Sequence, residues 1–393
     1  MSGRSRLDRF GVSFRRERPN PGDGTGPSSR PSPLTITLLN PVSETQAEPS
    51  LEIRRAEPGD WDAWDRFVDG FEGASFFHHS AWTRFVEECY GHPQRSFIAW
   101  RGDQVEGVLP VSECRGLSGH RKLVSVPYGV YGGAIGTSAA VRDGLLDAAI
   151  AEAERSKVSL LELRYEDDPG REFQKSDLYW TFQRELPDTP EGVLAMMPKK
   201  ARAEARKARK RHGLELTEGH WYTDDLYRMF LANKHSLGSP ALPARHFHLL
   251  LERMRERIFV HLVRRGSEPL AAVMSFAHRG TLIAYYAGTA PNADRAFSAS
   301  NFMYMALQEW AVERGFRTFD FCRSRGDSGA FRFKVHQGFE PKQLNYCYHL
   351  VGANSIPSFT PSNPKTKLLR QAWTKTPLWF AGLASRRLAR YLP

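Results

Sequence analysis

The feature that most limits what this chain can fold into is an order of segments that occurs twice. QRSFIAWRGDQVEGVLPVSECRG, residues 94–116, reads as two alternating strands around the turn Arg101-Gly102-Asp103. A glycine-rich stretch, VPYGVYGGAIG, follows, then a helical pattern near residues 139–156 and the apolar strand VSLLELR. About 160 residues later the order returns. IFVHLVRRGSEPLAAVMSFAHRG gives two strands about a polar turn, TLIAYYAGTA a strand that reaches a glycine, ASNFMYMALQEWAVERG a helix, and FRTFDFCRS a strand. Arg101-Gly102 pairs with Arg265-Gly266, Tyr131-Gly132 with Tyr286-Ala287-Gly288, and LLELR with FDFCR, so that Glu162 falls opposite Asp320. Recurrence of element types at fixed spacing is the mark of a duplicated α/β unit.

Length agrees, because 393 residues exceed the usual single core and leave room for two. Ahead of the first repeat, LEIRRAEPGDWDAWDRFVDGF predicts a short strand and a helix opened by Pro58 and Asp60. SFFHHSAWTRFVEECYG predicts a second helix, capped by Ser75 or Ser80 and stopped by Gly91. Residues 1–48 are rich in Pro, Gly, Ser and Arg without periodicity, which reads as a disordered basic arm. The expected divisions are 1–48 for this arm, 49–190 and 216–350 for the two α/β units, 191–215 for a basic helical insertion and 351–393 for a C-terminal extension.

The insertion is the densest charge in the chain. Eight of the thirteen residues from Lys199 to Arg211 are Lys or Arg, and alanines at 201, 203, 205 and 208 make the segment helical between Pro198 and Gly213. A face made almost wholly of alanine does not look like an ordinary core face. Two readings follow: a solvated helix, or a surface for phosphate-bearing substrate or tRNA whose binding falls with salt. The formal charge of +11 favours anionic partners without choosing among phosphates, nucleic acid and acidic membranes.

Chemistry concentrates in FDFCRSRGDSGAFRFKVHQGFEP, residues 319–341. Asp320 lies inside an apolar strand, where a carboxylate without a partner is costly, so Arg323, Arg325 or Lys334 is expected beside it. A structural ion pair and a catalytic carboxylate both fit. Alternation over Phe331, Arg332, Phe333 and Lys334 predicts a half-buried strand or an extended entry into a helix, with Lys334 between the flexible Gly329 and Gly338. A cation held there suits a phosphate or the oxyanion of an acyl transfer.

Other chemistries lack their signatures. There is no G-x-S-x-G elbow, H-E-x-x-H helix, G-x-G-x-x-G or G-x-x-x-x-G-K-[ST] loop, and the R/Q-x-x-G-x-G/A loop that holds coenzyme A pyrophosphate is only approached by RSRGDS at 323–328. Cys89, Cys114, Cys322 and Cys347 are too far apart for a ligand pattern and read as reduced core residues of a cytosolic protein. His78-His79 and His246/His248 are the only close histidine sets, and no metal site is expected. No run is long enough to span a bilayer. The tail TKTPLWFAGLASRRLARYLP predicts an amphipathic helix, either docked on the protein itself or in peripheral contact with an acidic membrane.

Beyond these readings, residues 51–393 resemble the FemAB group of the GNAT-type acyltransferase superfamily, in particular its exosortase/PEP-CTERM-associated type. SFFHHSAWTRFVEECYGH, VPYGVYGGAIG, KSDLYWTFQREL, the basic helix, PSNPKTKLLRQAWTKTPL and above all residues 298–350 carry the resemblance. It implies two tandem GNAT-like domains, mixed sheets flanked by helices, and transfer of an acyl or aminoacyl unit to an amino group of a cell-envelope or exopolysaccharide precursor. Acyl-CoA or aminoacyl-tRNA would be the co-substrate, with no tightly bound cofactor. The acceptor would be a phosphorylated or lipid-linked glycan, and the protein cytoplasmic, at the inner face of the membrane if the tail binds there. By the same resemblance the family's Phe-Lys pair falls on Phe333 and Lys334, and its phosphate-facing tyrosines on Tyr285 and Tyr286. The short basic helix stands where tRNA-using relatives carry a coiled-coil arm. Cys322 replaces a usual glycine and is expected to force an ordinary L-residue backbone. Expected catalytic residues are Lys334 and Asp320; expected binding residues are Phe333, Arg323, Ser324, Tyr285, Tyr286, Asn301, Tyr131, Lys200 and Arg206. The competing reading is a non-catalytic module that uses the same double fold to hold anionic glycan or tRNA.

Overall fold

The computed structural model describes residues 49–117, 119–356 and 364–392. The expectation for the arm at 1–48 lies outside them. The first α/β unit runs β1 (Leu51–Arg55), α1 (Trp61–Gly70), α2 (Ser80–Tyr90), β2 (Phe97–Arg101), β3 (Gln104–Leu109), β4 (Ser112–Arg115), β5 (Arg121–Val124), β6 (Ile135–Gly136), α3 (Ala139–Arg155) and β7 (Leu160–Tyr165). Short strands β8 (Gln174–Ser176), β9 (Tyr179–Thr181) and β10 (Gln183–Glu185) and helices α4 (Pro190–Met196) and α5 (Lys199–His212) lead to the second unit. That unit repeats the plan as β11 (Glu215–Glu218), α6 (Thr223–Ser236), α7 (Ala244–Met254), β12 (Ile258–Arg265), β13 (Glu268–His278), β14 (Thr281–Thr289), α8 (Ala293–Phe297), α9 (Ala299–Glu313) and β15 (Thr318–Asp320). It ends with β16 (Ser324–Arg325), α10 (Gly329–His336), β17 (Lys342–Gln343) and β18 (Asn345–Leu350), before the tail helices α11 (Pro364–Thr374) and α12 (Leu378–Leu388).

Local chemistry sets these limits. Gly102 and Gly266 turn the two equivalent hairpins at the same left-handed φ of +57°, a conformation that glycine takes without steric cost. Gly91 and Gly213 end α2 and α5 in left-handed caps, as expected.

The strands then do something that their order in the chain does not announce. One sheet has the order β10-β15-β14-β13-β12-β11, and another β4-β5-β7-β18-β8. The last strand of the link, β10, therefore joins the second unit's sheet, and the second unit's last strand, β18, joins the first unit's. β10 pairs with β15 and sets Gln183 opposite Asp320, while β18 pairs with β7 and sets Tyr346 opposite Arg164.

A large apolar core lies where the two units meet. Phe76 stacks on Phe276 with ring centroids 4.4 Å apart, and Trp82, Phe85, Phe247 and Tyr286 pack around them. Such an aromatic pair adds about 0.5–1.5 kcal/mol beyond its buried area. The basic helix is also packed, contrary to the expectation from its alanine-rich face: Ala201, Ala205 and Ala208 are fully buried in the core that contains α9. Small side chains let two helix backbones approach closely while the lysines and arginines stay outside.

Candidate active site

Two parallel strands pair only briefly in each unit and then part. In the second unit β14 and β15 pair through Thr281↔Thr318, Leu282↔Phe319 and Ile283↔Asp320. β14 continues to Thr289, while the other strand ends at Asp320. Asp320 is 1% exposed. Its carboxylate accepts hydrogen bonds from the Cys322 backbone N–H (2.6 Å), the Tyr131 hydroxyl (3.3 Å) and Gln183 Nε2 (3.2 Å). Burial raises its pKa to about 6; the Cys322 N–H and the Tyr131 hydroxyl hold it down, and Glu166 adds to the rise. A carboxylate with that pKa is ionised at neutral pH yet still able to take a proton.

The chain leaves this strand through Cys322, at φ +55°. The expected return to an ordinary backbone at this position does not occur. A cysteine stays left-handed, which costs on the order of 1–2 kcal/mol and must be held by neighbours. Lys334 is that neighbour. Its ammonium donates to the carbonyls of Phe321 (2.6 Å), Cys322 (2.8 Å) and Arg323 (3.2 Å). It also sits over the faces of Phe182 and Phe321, 5.2 and 5.8 Å from their centroids. Burial lowers its pKa to about 8, against the attraction of Cys322 and Asp320.

Two expectations for Lys334 are corrected by this geometry. The segment is helical from Gly329, neither a half-buried strand nor an extended entry into a helix, and the Ser328 side chain caps it by accepting from Phe331 N at 3.1 Å. All three N–H groups of the ammonium are spent on backbone carbonyls, so none is aimed at an oxyanion.

The other expected residues divide. Tyr131 belongs to the Asp320 cluster and shares a short hydrogen bond with Thr181 Oγ1. Arg323 is adjacent, but its guanidinium stacks on Tyr179 (4.7 Å) and donates to the Tyr346 hydroxyl at 3.1 Å. Ser324 is buried, with a hydroxyl that has no hydrogen-bond partner among the described residues. Phe333 packs on Tyr304 and Phe321 in the core. The tyrosines of β14 are bonded within the protein: the half-buried Tyr285 donates to Tyr128 O, and the buried Tyr286 shares a hydrogen bond with His246, which also bonds Tyr90. Asn301 ties α5 to the end of α10 by donating to Glu204 and accepting from Gln337. Lys200 and Arg206 are exposed on the basic helix. Arg206 lines an open hollow with Pro190, Leu194, Arg202, Arg209 and Glu309, which contains none of the residues around Asp320.

Gln183 and Thr181 were not foreseen as site residues. Nothing local marks them, because only the strand exchange brings the 181–183 segment to Asp320. One further feature bears on the donor: the Asp294 carboxylate accepts from Ser300 N (2.7 Å) and Ser300 Oγ (3.0 Å), occupying the first turn of α9.

Comparison with known proteins agrees with this architecture. Residues 197–335 match the family described as acetyltransferase (GNAT) domain. The fold is a mixed α/β arrangement of several sheets and helices. The crystal structure of FemX aligns over 81% of this chain and 100% of its own, with 13% identity and a TM-score of 0.59. The C-terminal domain (DUF2156) of a putative lysylphosphatidylglycerol synthetase from Agrobacterium fabrum covers 75% of this chain and 92% of its own at 12% identity, TM-score 0.50. No curated protein matches the sequence.

Proposed function

We propose that this protein transfers an acyl or aminoacyl group to an amine of a cell-envelope or exopolysaccharide precursor, in the cytoplasm and in the setting of exosortase/PEP-CTERM polysaccharide synthesis. The matched acetyltransferase domain supports acyl transfer in general. The observation that carries the reading is Asp320, a buried carboxylate with a pKa near 6 at the point where two parallel strands part.

In the proposed reaction the acceptor amine attacks the carbonyl carbon of an activated ester or thioester. A C–N bond forms, the C–O or C–S bond breaks, and the proton lost by the amine passes to Asp320, by way of the Tyr131 hydroxyl that touches it. From there it returns to the leaving oxygen or sulfur. Lys334 acts as a positioning residue, because its ammonium holds the carbonyls of residues 321–323 and with them the N–H that bonds Asp320. Acyl-CoA is the donor that the matched domain supports, and aminoacyl-tRNA the alternative. The Asp294 carboxylate, held by α8 against the start of α9, opposes a pyrophosphate at that helix start, which favours a donor anchored elsewhere.

The test is to incubate the purified protein with acyl-CoA or charged tRNA pools and a bacterial small-molecule extract, and follow donor consumption by mass spectrometry. Asp320→Asn should lower transfer by about two to four orders of magnitude and remain folded. Transfer at the wild-type rate in that variant would remove Asp320 from the chemistry. No transfer with any donor, alongside salt-sensitive binding of anionic glycan or tRNA, would establish the binding-module alternative.

A lipid-linked acceptor would also give the tail a purpose. Ala381 and Ser385 seat α12 on the body of the protein, with Ser385 Oγ accepting from Ala241 N. Trp379 (72% exposed), Phe380 (44%) and Leu383 (55%) are left outside, followed one turn later by the exposed Arg386, Arg387 and Arg390. Apolar anchors next to cations suit an anionic bilayer surface. Sedimentation with phosphatidylglycerol vesicles should fall when Trp379 and Leu383 are changed to Ser; unchanged sedimentation would leave the helix a docked element only.

A further inference from the structure

Away from Asp320, three side chains from distant parts of the chain converge. Asp69 lies near the end of α1, His79 immediately before α2, and His278 at the end of β13. One potential ligand atom from each lies within 4.8 Å of the others. His79 and His278 are 3% and 6% exposed, whereas the Asp69 side chain is 47% exposed.

A hydrogen bond orients the His278 ring and a nearby carboxylate the His79 ring. His278 Nε2 is 3.0 Å from the Ala74 carbonyl, which can only accept, so this nitrogen bears the N–H. His79 Nδ1 faces the Asp65 carboxylate at 3.6 Å, and that carboxylate is itself held by Ser80 N (2.8 Å) and Ser80 Oγ (2.7 Å). The remaining nitrogens, His79 Nε2 and His278 Nδ1, lie 3.3 Å apart, a distance that fits either a shared proton or two ligands of one ion. Asp69 Oδ1, 3.6 Å from His79 Nε2, adds negative charge at the same point.

The spacing of the two histidine nitrogens is that of a coordination sphere. Two imidazole nitrogens bound at about 2.0–2.1 Å with tetrahedral angles lie roughly 3.3–3.4 Å apart. The outward contacts are of the kind that orient metal-bound histidines, a carboxylate facing His79 and a backbone carbonyl bonded to His278. Arg257 donates to Asp69 Oδ1 and Oδ2 at 2.8 and 3.0 Å, which uses part of the carboxylate's capacity and leaves lone pairs for an ion. His78 is committed elsewhere, to Ser75 and to the Gly133 carbonyl, so it is not a ligand.

We propose that His79 Nε2, His278 Nδ1 and Asp69 bind a zinc-like divalent ion in a tetrahedral site whose fourth position is water on the exposed Asp69 side. The ligands come from the first unit and the second, so the ion would clamp the two together. The site is independent of the acyl-transfer reading. It runs against the sequence expectation of no metal, which counted histidines close in the chain: His79 and His278 are 199 residues apart.

The test uses the full-length protein. After treatment with a chelator, addition of cobalt(II) should give one equivalent of bound metal with the strong visible absorption of tetrahedral coordination. Zinc should displace it and raise the melting temperature. His278→Ala and His79→Ala should abolish the band, Asp69→Asn should weaken cobalt affinity by at least about tenfold, and His248→Ala, at an exposed histidine, should change nothing. Should His278→Ala fail to fold, Asp69→Asn, on the exposed rim, decides. Absence of the visible band in the wild type at excess cobalt, or affinity unchanged in Asp69→Asn, would overturn the site and leave a histidine pair that shares a proton.

Discussion

The two units place a carboxylate at the same point of the same scaffold and treat it in opposite ways. Glu162 is paired with Val124 at the end of the parallel contact between β5 and β7, as Asp320 is with Ile283 between β14 and β15. Two residues further on, the first unit has Arg164, whose guanidinium bonds Glu162 at 2.8–2.9 Å and reaches the carbonyls of Val126 and Gly129. The second unit has Cys322 there, and offers its carboxylate a backbone N–H instead. Burial alone would raise the pKa of Glu162, but Arg164 and Lys122 outweigh it and bring the value to about 2. Without such a partner Asp320 rises to about 6. The lesson is that duplication supplied two equivalent positions, of which one is neutralised as structure and the other is left able to exchange a proton.

Removing each carboxylate should give the largest effects and break the equivalence most plainly. Asp320→Asn is expected to lower acyl transfer by about two to four orders of magnitude, the usual worth of a positioned acid or base, without loss of folding. Glu162→Gln is expected to cost about 3–5 kcal/mol of stability, since it removes the charge facing a buried arginine. Denaturant titration and turnover, measured on both variants, separate the two roles. Loss of turnover in a stable Glu162→Gln protein would make the first unit a second chemical site.

The pH dependences should run in opposite directions. Asp320 has a folded pKa above its ordinary value, so the folded state binds its proton more tightly than the unfolded chain does. Its effect is a loss of stability as pH rises from about 4 to about 6. Glu162 has a depressed folded pKa, so its contribution is present above about 4.5 and is lost as pH falls toward 2. Denaturant midpoints between pH 4 and 7 should show a decline that disappears in Asp320→Asn, while the rate of transfer should rise through pH 6. A flat rate over that range would exclude Asp320 as the proton acceptor.

How much of this was legible beforehand depends on the range of each interaction. The repeat, the glycine turns at 102 and 266 and the Glu162/Asp320 equivalence rest on local pattern, and the folded chain has them. The helix over 329–336 was also locally encoded, in Ser328 three residues before Phe331, but the Phe–Arg–Phe–Lys alternation obscured that cap. Gln183 beside Asp320 and His79 beside His278 were not legible, because each pair is joined by contacts between strands or loops more than a hundred residues apart. Alternation and spacing report which face a residue occupies, not which distant segment that face meets.

The smallest expected effect tests how the second unit keeps its carboxylate free of an arginine. If Lys334 serves to hold Cys322 in the left-handed region, Lys334→Met leaves three carbonyls without their shared donor and should cost about 2–4 kcal/mol. Cys322→Gly alone should change stability by no more than about 1 kcal/mol, because the relief of a positive φ is offset by the greater freedom of glycine in the unfolded chain. Combined, the two changes should lose less than the sum of their separate effects, since glycine adopts the turn without the ammonium's help. A double-mutant cycle in denaturant measures that difference. Strict additivity would mean that the ammonium does not support the left-handed turn, and that its three hydrogen bonds serve burial of the lysine rather than the geometry around Asp320.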